Sequence, residues 1–199
     1  MKYKILFFVI CLYIPILAIG QPSDYLSRKL EIEKCTEQIY SIKEFQRIAD
    51  SLLMSVDELS DYPVISPVKK PAISSGFGIR IHPVYKVHQF HTGIDIPNIM
   101  GTPVYATGNG VVTRKGYDWG YGYFIEIKHA GGFRSFYAHL SKTMVNIGDS
   151  VGIAEHIAFV GNTGVSTGSH LHYEIRKGNR FLNPTQWCYC LFEMLKKTA

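Results

Sequence analysis

The chain has 199 residues, 46% hydrophobic and 19% charged, which is enough for one packed domain with an appendage and excludes a disordered or low-complexity chain. Its formal charge of +5 comes without a basic stripe interleaved with aromatic residues. That excludes a nucleic-acid signature, whereas a mild positive excess suits an anionic polymer.

Residues 1–20 carry Lys2 and Lys4 ahead of an apolar run from Ile5 to Ile19, with Ala18 and Gly20 where a signal peptidase reads small residues. This segment is read as a cleavable signal, and the protein as exported, to the periplasm or the cell exterior. An uncleaved membrane anchor is the lesser reading, because the run falls short of the ~20 residues of a span and Pro15 interrupts it. Loss of Lys2 and Lys4 with such a leader would lower the formal charge from +5 to +3. It would leave Cys35, Cys188 and Cys190, an odd number that cannot pair completely within one chain. Cys188-Tyr189-Cys190 is spaced poorly for zinc, so these thiols are read as buried or unpaired.

Residues 21–61 are expected to form a helical arm. From Tyr25 to about Leu59 there is no Gly or Pro, and apolar residues recur in steps of three and four at Cys35, Ile39, Ile42, Phe45, Ala49, Leu52, Val56 and Leu59. Such a stripe either packs on its own domain or makes a short coiled coil, self-associating or binding a protein partner. The prolines of Asp61-Tyr62-Pro63-Val64-Ile65-Ser66-Pro67 end it.

Residues 62–184 read as β. Strands are expected over Thr102–Ala106, Gly110–Lys115, Tyr123–His129, Phe133–His139, Ile157–Val160 and Leu171–Lys177, with glycine-bearing turns between them. The fold class is therefore mainly β, an antiparallel sheet or sandwich with an N-terminal helical arm and a short C-terminal helix. That last helix lies in 185–199, from Thr185 to about Lys197, with Trp187, Leu191 and Met194 on one side.

The chemistry gathers at a few histidines. His170 and His172 lie two apart and share one face of a strand, as do positions 91, 93 and 95 of an extended segment, where Gly93 leaves room between His91 and Asp95. Three of these four side chains could reach one metal ion. Two imidazoles, one carboxylate and an open fourth position make the ligand set of a hydrolytic zinc site. Spacing alone leaves open which of His170 and His172 is the ligand. If it is His172, then His170 stands ~7 Å along the strand, near a bound water. His139, at a strand end, is a second non-ligand imidazole. Hydrolysing an amide needs a base for the water, stabilisation of the oxyanion and an acid for the amine, which a zinc ion with two flanking imidazoles can supply.

His91-x-x-x-Asp95, Tyr137-Ala138-His139-Leu140-Ser141 and Gly161-Asn162-Thr163-Gly164-x-Ser166-Thr167-Gly168-x-His170-Leu171-His172-Tyr173-Glu174 together resemble the lysostaphin-type zinc metallopeptidases, which cut peptidoglycan peptides. The resemblance extends from about Pro63 to Pro184 and includes Ser75-Gly76-Phe77-Gly78-Ile79-Arg80-Ile81-His82-Pro83. It implies one zinc ion held by His91, Asp95 and His172, with His139 and His170 as the catalytic pair. Tyr85 stands where some relatives place a tyrosine that stabilises the oxyanion. Because all five positions are filled, the resemblance implies a working endopeptidase acting on stem peptides or cross-links of peptidoglycan. The family also has members that have lost ligands and serve as activators, and the alternative here is a zinc-binding but non-catalytic scaffold or activator of another wall hydrolase.

Ala154-Glu155 departs from the Gly-Gln pair common in the family. His156 is read as a surface residue, and His82, His88 and His129 as structural or rim residues. The aromatic loop from Lys115 to Tyr123 offers Trp119 and Tyr121 as side chains that line the groove and stack on substrate. The arm, or the loop from Gly76 to Phe90, is a candidate to block the groove in a resting protein.

Overall fold

A computed structural model describes residues 22–197, so the expected leader at 1–20 lies outside the described residues. From Ile32 onward the chain forms one compact unit, and the part of the first helix before Ile32 belongs to another.

The single helix expected from Tyr25 to Leu59 is three: α1 (Pro22–Glu37), α2 (Ile42–Ser51) and α3 (Val56–Ser60). The breaks fall at two Ser-x-x-Glu sequences that start new helices. The Ser41 hydroxyl accepts from the backbone N–H of Glu44. Ser55 and Glu58 cap each other reciprocally, the Glu58 carboxylate accepting from the Ser55 N–H at 2.7 Å. These local bonds satisfy N–H groups that a continuous helix would have bonded to carbonyls, so the periodic stripe gives no sign of the breaks. The stripe is used within the chain: Ile39, Ile42, Phe45, Ala49 and Leu59 are buried, while Cys35 is exposed. Phe45 carries the contact, its ring centroid 4.9 Å from Tyr62 and 5.2 Å from Trp187.

Eleven strands follow: β1 (Gly78–Ile81), β2 (His88–His91), β3 (Ile94–Pro97), β4 (Pro103–Tyr105), β5 (Gly110–Asp118), β6 (Gly122–Lys128), β7 (Phe133–Thr143), β8 (Ser150–Val151), β9 (His156–Val160), β10 (His170–Lys177) and β11 (Arg180–Leu182). The main sheet runs β11-β10-β7-β6-β5-β8, with β3 added to β10 and β9 bridging β7 and β4. All its pairings are antiparallel, and β1 and β2 form a separate hairpin.

Alternation along β10 puts Leu171, Tyr173 and Ile175 into the hydrophobic core with Ile94, Ile96, Ile125, Ile127 and Tyr137. It turns His170, His172, Glu174 and Arg176 to the opposite face, and this division positions the site. After β11 the closing segment is two helices, α4 (Pro184–Trp187) and α5 (Cys190–Lys197). Trp187, Leu191 and Met194 are buried as the pattern requires. Cys35, Cys188 and Cys190 are free thiols. Among the described residues no helix is long and apolar enough to cross a membrane.

Candidate metal centre

β3 lies antiparallel on β10 so that Asp95 pairs with His172, and β2 ends by delivering His91 beside them. All three side chains are buried. His91 Nε2 stands 3.1 Å from His172 Nδ1 and 3.2 Å from Asp95 Oδ1, and His172 Nδ1 stands 2.9 Å from Asp95 Oδ1. Donors held at ~2.1 Å from zinc in a tetrahedron stand roughly 3.4 Å apart, so this triangle is the right size for one ion after a slight expansion.

The remaining polar atoms fix which nitrogen faces the centre. His91 Nδ1–H donates to the Gly76 carbonyl at 2.8 Å, which leaves Nε2 as the free lone pair. His172 is turned the other way: Nε2–H donates to Glu174 Oε1 at 2.9 Å and Nδ1 faces the centre. Arg80 donates to the outer oxygen of Asp95 at 3.0 Å, leaving Oδ1 pointing inward.

The electrostatics favour a cation. Burial disfavours a charged His172, but hydrogen bonds to Asp95 and Glu174 outweigh it and raise its pKa to about 9. Burial likewise works against the Asp95 carboxylate, and the bonds from His172 and His91 overcome it, holding the group well below the usual carboxylate range. Both shifts say that positive charge is favoured beside the ionised Asp95 and Glu174 carboxylates, and a divalent ion would take the place of the His172 proton on Nδ1. Among the described residues, these are the three that cluster with metal-ligating geometry.

Gly93 serves packing, in contrast to the room for an ion that its position suggested. A Cβ there would lie 2.3 Å from the Tyr173 carbonyl oxygen and 2.8 Å from Glu174 Cγ, so only glycine lets this segment lie against β10. The strand is broken there as well, β2 ending at His91 and β3 starting at Ile94.

His139 and His170 flank the triangle. His139 has φ +58°, a left-handed conformation that costs a non-glycine residue roughly 1–3 kcal/mol, and it kinks β7 where the register with β6 shifts, between Tyr137 and Leu140. Its Nδ1–H donates to the Thr163 carbonyl at 2.7 Å, so Nε2 carries the lone pair. Burial, aided by the nearby His170, lowers its pKa to about 4, which keeps it a neutral acceptor. The Thr163 carbonyl is placed by a tight crossing: a Cβ on Gly164 would meet the Gly122 nitrogen at 2.3 Å. His170 Nδ1–H donates to the Gly168 carbonyl at 2.8 Å, and Nε2 stands 3.6 Å from Asp95 Oδ1.

These five residues line a cleft of about 690 Å³. Tyr85 is on its wall, half exposed and stacked on His82 with centroids 4.5 Å apart. Tyr121 is also on the wall, with its hydroxyl donating to Glu174 at 3.1 Å. Trp119 is 72% exposed and does not line the cleft, because the turn at Asp118–Gly120 points it outward. His129 is a buried core residue and no rim group, and His156 is half-buried with Nε2 on the Ala158 carbonyl. Glu174, Arg80, Thr92 and Arg176 carry no role in the sequence reading. The signal for two of them was available: His170, His172, Glu174 and Arg176 continue one period-two series.

An antiparallel sheet that places an open His-Asp-His set beside two further imidazoles in a cleft is the arrangement of a metallopeptidase. Residues 89–184 match peptidase family M23. The "DD-carboxypeptidase/endopeptidase Mpg" of Neisseria meningitidis is 48% identical over 120 residues, covering 60% of this chain and 28% of that protein. The "Peptidoglycan DD-endopeptidase ShyA" of Vibrio cholerae is 37% identical over 178 residues, covering 79% and 40%. Among solved structures, the catalytic domain of EnpA from Enterococcus faecalis is 32% identical with a TM-score of 0.54, covering 60% of this chain and 95% of that one. The catalytic domain of lysostaphin from Staphylococcus simulans is 29% identical with a TM-score of 0.56, covering 59% and 92%. This chain belongs to peptidase family M23. It spans 28% to 40% of the length of the Neisseria and Vibrio relatives.

Proposed function

We propose that the protein is an exported zinc endopeptidase that hydrolyses peptide bonds in the stem peptides or cross-links of peptidoglycan. The observation that carries this reading is the three-donor set, open on the cleft side, beside two imidazoles that spend Nδ1 on backbone carbonyls and leave Nε2 for the cleft. His91 Nε2, Asp95 Oδ1 and His172 Nδ1 would hold the ion. Bound zinc would supply a Lewis acid that acidifies a coordinated water and polarises the scissile carbonyl.

The chain's own groups do the rest. His139 and His170, fixed through Nδ1, present Nε2 lone pairs that take the proton of the attacking water and return one to the departing amine. Tyr85, on the cleft wall, would donate to the developing oxyanion once substrate draws it in. The relatives named as peptidoglycan endopeptidases support the substrate class, and an exported location follows from that substrate.

The test is incubation of the purified protein with isolated sacculi, with zinc and with a chelator, followed by mass spectrometry of the released muropeptides. Zinc-dependent loss of cross-linked species is expected. Stoichiometric zinc binding with no bond cut would sink the enzyme reading in favour of the scaffold or activator.

A further inference from the structure

The face of β10 that carries His170 and His172 continues into a buried ionic chain. Glu174 is fully buried. Its Oε1 receives Nε2–H of His172 at 2.9 Å, the Tyr121 hydroxyl at 3.1 Å and the hydroxyl of Thr92. Its Oε2 receives the guanidinium of Arg176. Arg176 is itself clamped, with its guanidinium carbon 4.1 Å from the centre of the Phe136 ring and Nη1 at 3.3 Å from Glu126.

A buried ion network often serves packing alone. Here, however, it ends on a candidate metal ligand whose two ring nitrogens are both capable of coordination. His91 and His172 face the centre with different nitrogens. For His91 a backbone carbonyl makes the choice, whereas for His172 a side chain makes it. We infer that Glu174, braced by Arg176, Thr92 and Tyr121, is the positioning residue that selects Nδ1 of His172 as the metal-facing nitrogen and holds the ring in place. The inference rests on His172 being a zinc ligand. Among the described residues Glu174 is the hydrogen-bond partner of Nε2, so without it only the bond of Nδ1 to Asp95 would orient the ring.

The test measures zinc affinity of folded protein by competition with a chromophoric chelator, together with nitrogen–proton correlation spectra of the His172 ring in the zinc-loaded state. Glu174→Ala, and Glu174→Gln with one amide oxygen to serve both His172 and Arg176, are expected to bind zinc roughly 10–100-fold more weakly. The His172 ring signals should lose their single Nε2–H form. Thr92→Val combined with Tyr121→Phe strips two donors and leaves both charges paired, so it decides the matter if the Glu174 variants do not fold. A several-fold loss of affinity is expected for it. A folded variant with a lowered melting temperature but wild-type zinc affinity and unchanged His172 signals would show a packing role only and overturn the inference. Failure of the wild-type protein to bind zinc would instead overturn the metal reading itself.

Discussion

His139 and His170 face each other with ring centroids 4.6 Å apart, and each is tied through Nδ1 to a backbone carbonyl, that of Thr163 and that of Gly168. The two rings come from adjacent elements of the cleft, β7 and the start of β10, and neither has Nε2 tied to the backbone, that of His170 lying 3.6 Å from Asp95 Oδ1. One can therefore accept a proton while the other donates. We expect His139→Ala and His170→Ala to keep their zinc and to lose turnover by ~10²–10⁴-fold, the usual contribution of a positioned acid or base. His172→Ala should lose the metal. Zinc content and cleavage rate measured on the same preparations check the division, and a His170→Ala protein without zinc would move His170 into the ligand set.

Removal of the metal should weaken the fold as well as stop the reaction. Asp95, His91 and His172 converge from three strands, and an ion joining them binds the native state and has no matching site in the unfolded chain. Free zinc at about a hundred times its dissociation constant would add about 2.7 kcal/mol, which corresponds to a melting temperature higher by roughly 5–10 °C. Thermal unfolding with zinc and with excess chelator measures this. Identical melting curves would contradict a structural link between the three ligands and the ion.

The parts of the site legible in the sequence are those with a local signature. The period-two spacing of His170 and His172 put both on one face, and the family motif divided their roles. The metal-facing nitrogen of His172 was not legible, because the same spacing that puts Glu174 and Arg176 on this face does not say which ring nitrogen Glu174 bonds. Gly93 misled for a related reason: the neighbour that demands a glycine is the backbone of Tyr173, eighty residues away in sequence. β1, β2 and β3 are four-residue strands, too short for alternation to stand out. The left-handed backbone of His139 has no sequence signal at all.

The arm makes a separate prediction. Phe45 is completely buried between Tyr62, Phe133 and Trp187, so it joins α2 to the sheet and to α4 at once. Phe45→Ala should cost about 3–5 kcal/mol through lost burial and the cavity left behind. Urea unfolding gives the loss of stability, and limited proteolysis between Ile42 and Ser60 should become faster. A variant as stable as wild type would mean that the stripe is not anchored as described.

His129 should make the protein sensitive to mild acid. Its ring lies buried, with Nδ1–H donating to the Asn109 carbonyl at 2.7 Å and, in the neutral form, Nε2 accepting from the Ser135 hydroxyl at 2.7 Å. Burial, against the raising effect of the Asn109 bond, lowers its pKa from 6.5 to about 4. The unfolded chain therefore binds the proton more readily between these values, and stability rises with pH across that window. The contribution is complete above about pH 6.5 and is lost as the pH falls toward 4, reaching of order 3 kcal/mol at most. His129→Gln carries no titrating ring, so it should be less stable than wild type at neutral pH, with the gap narrowing as the pH falls through this window. Urea titrations of both proteins at several pH values measure the gap directly. A gap independent of pH would show that His129 takes up its proton equally well in the folded and unfolded chain.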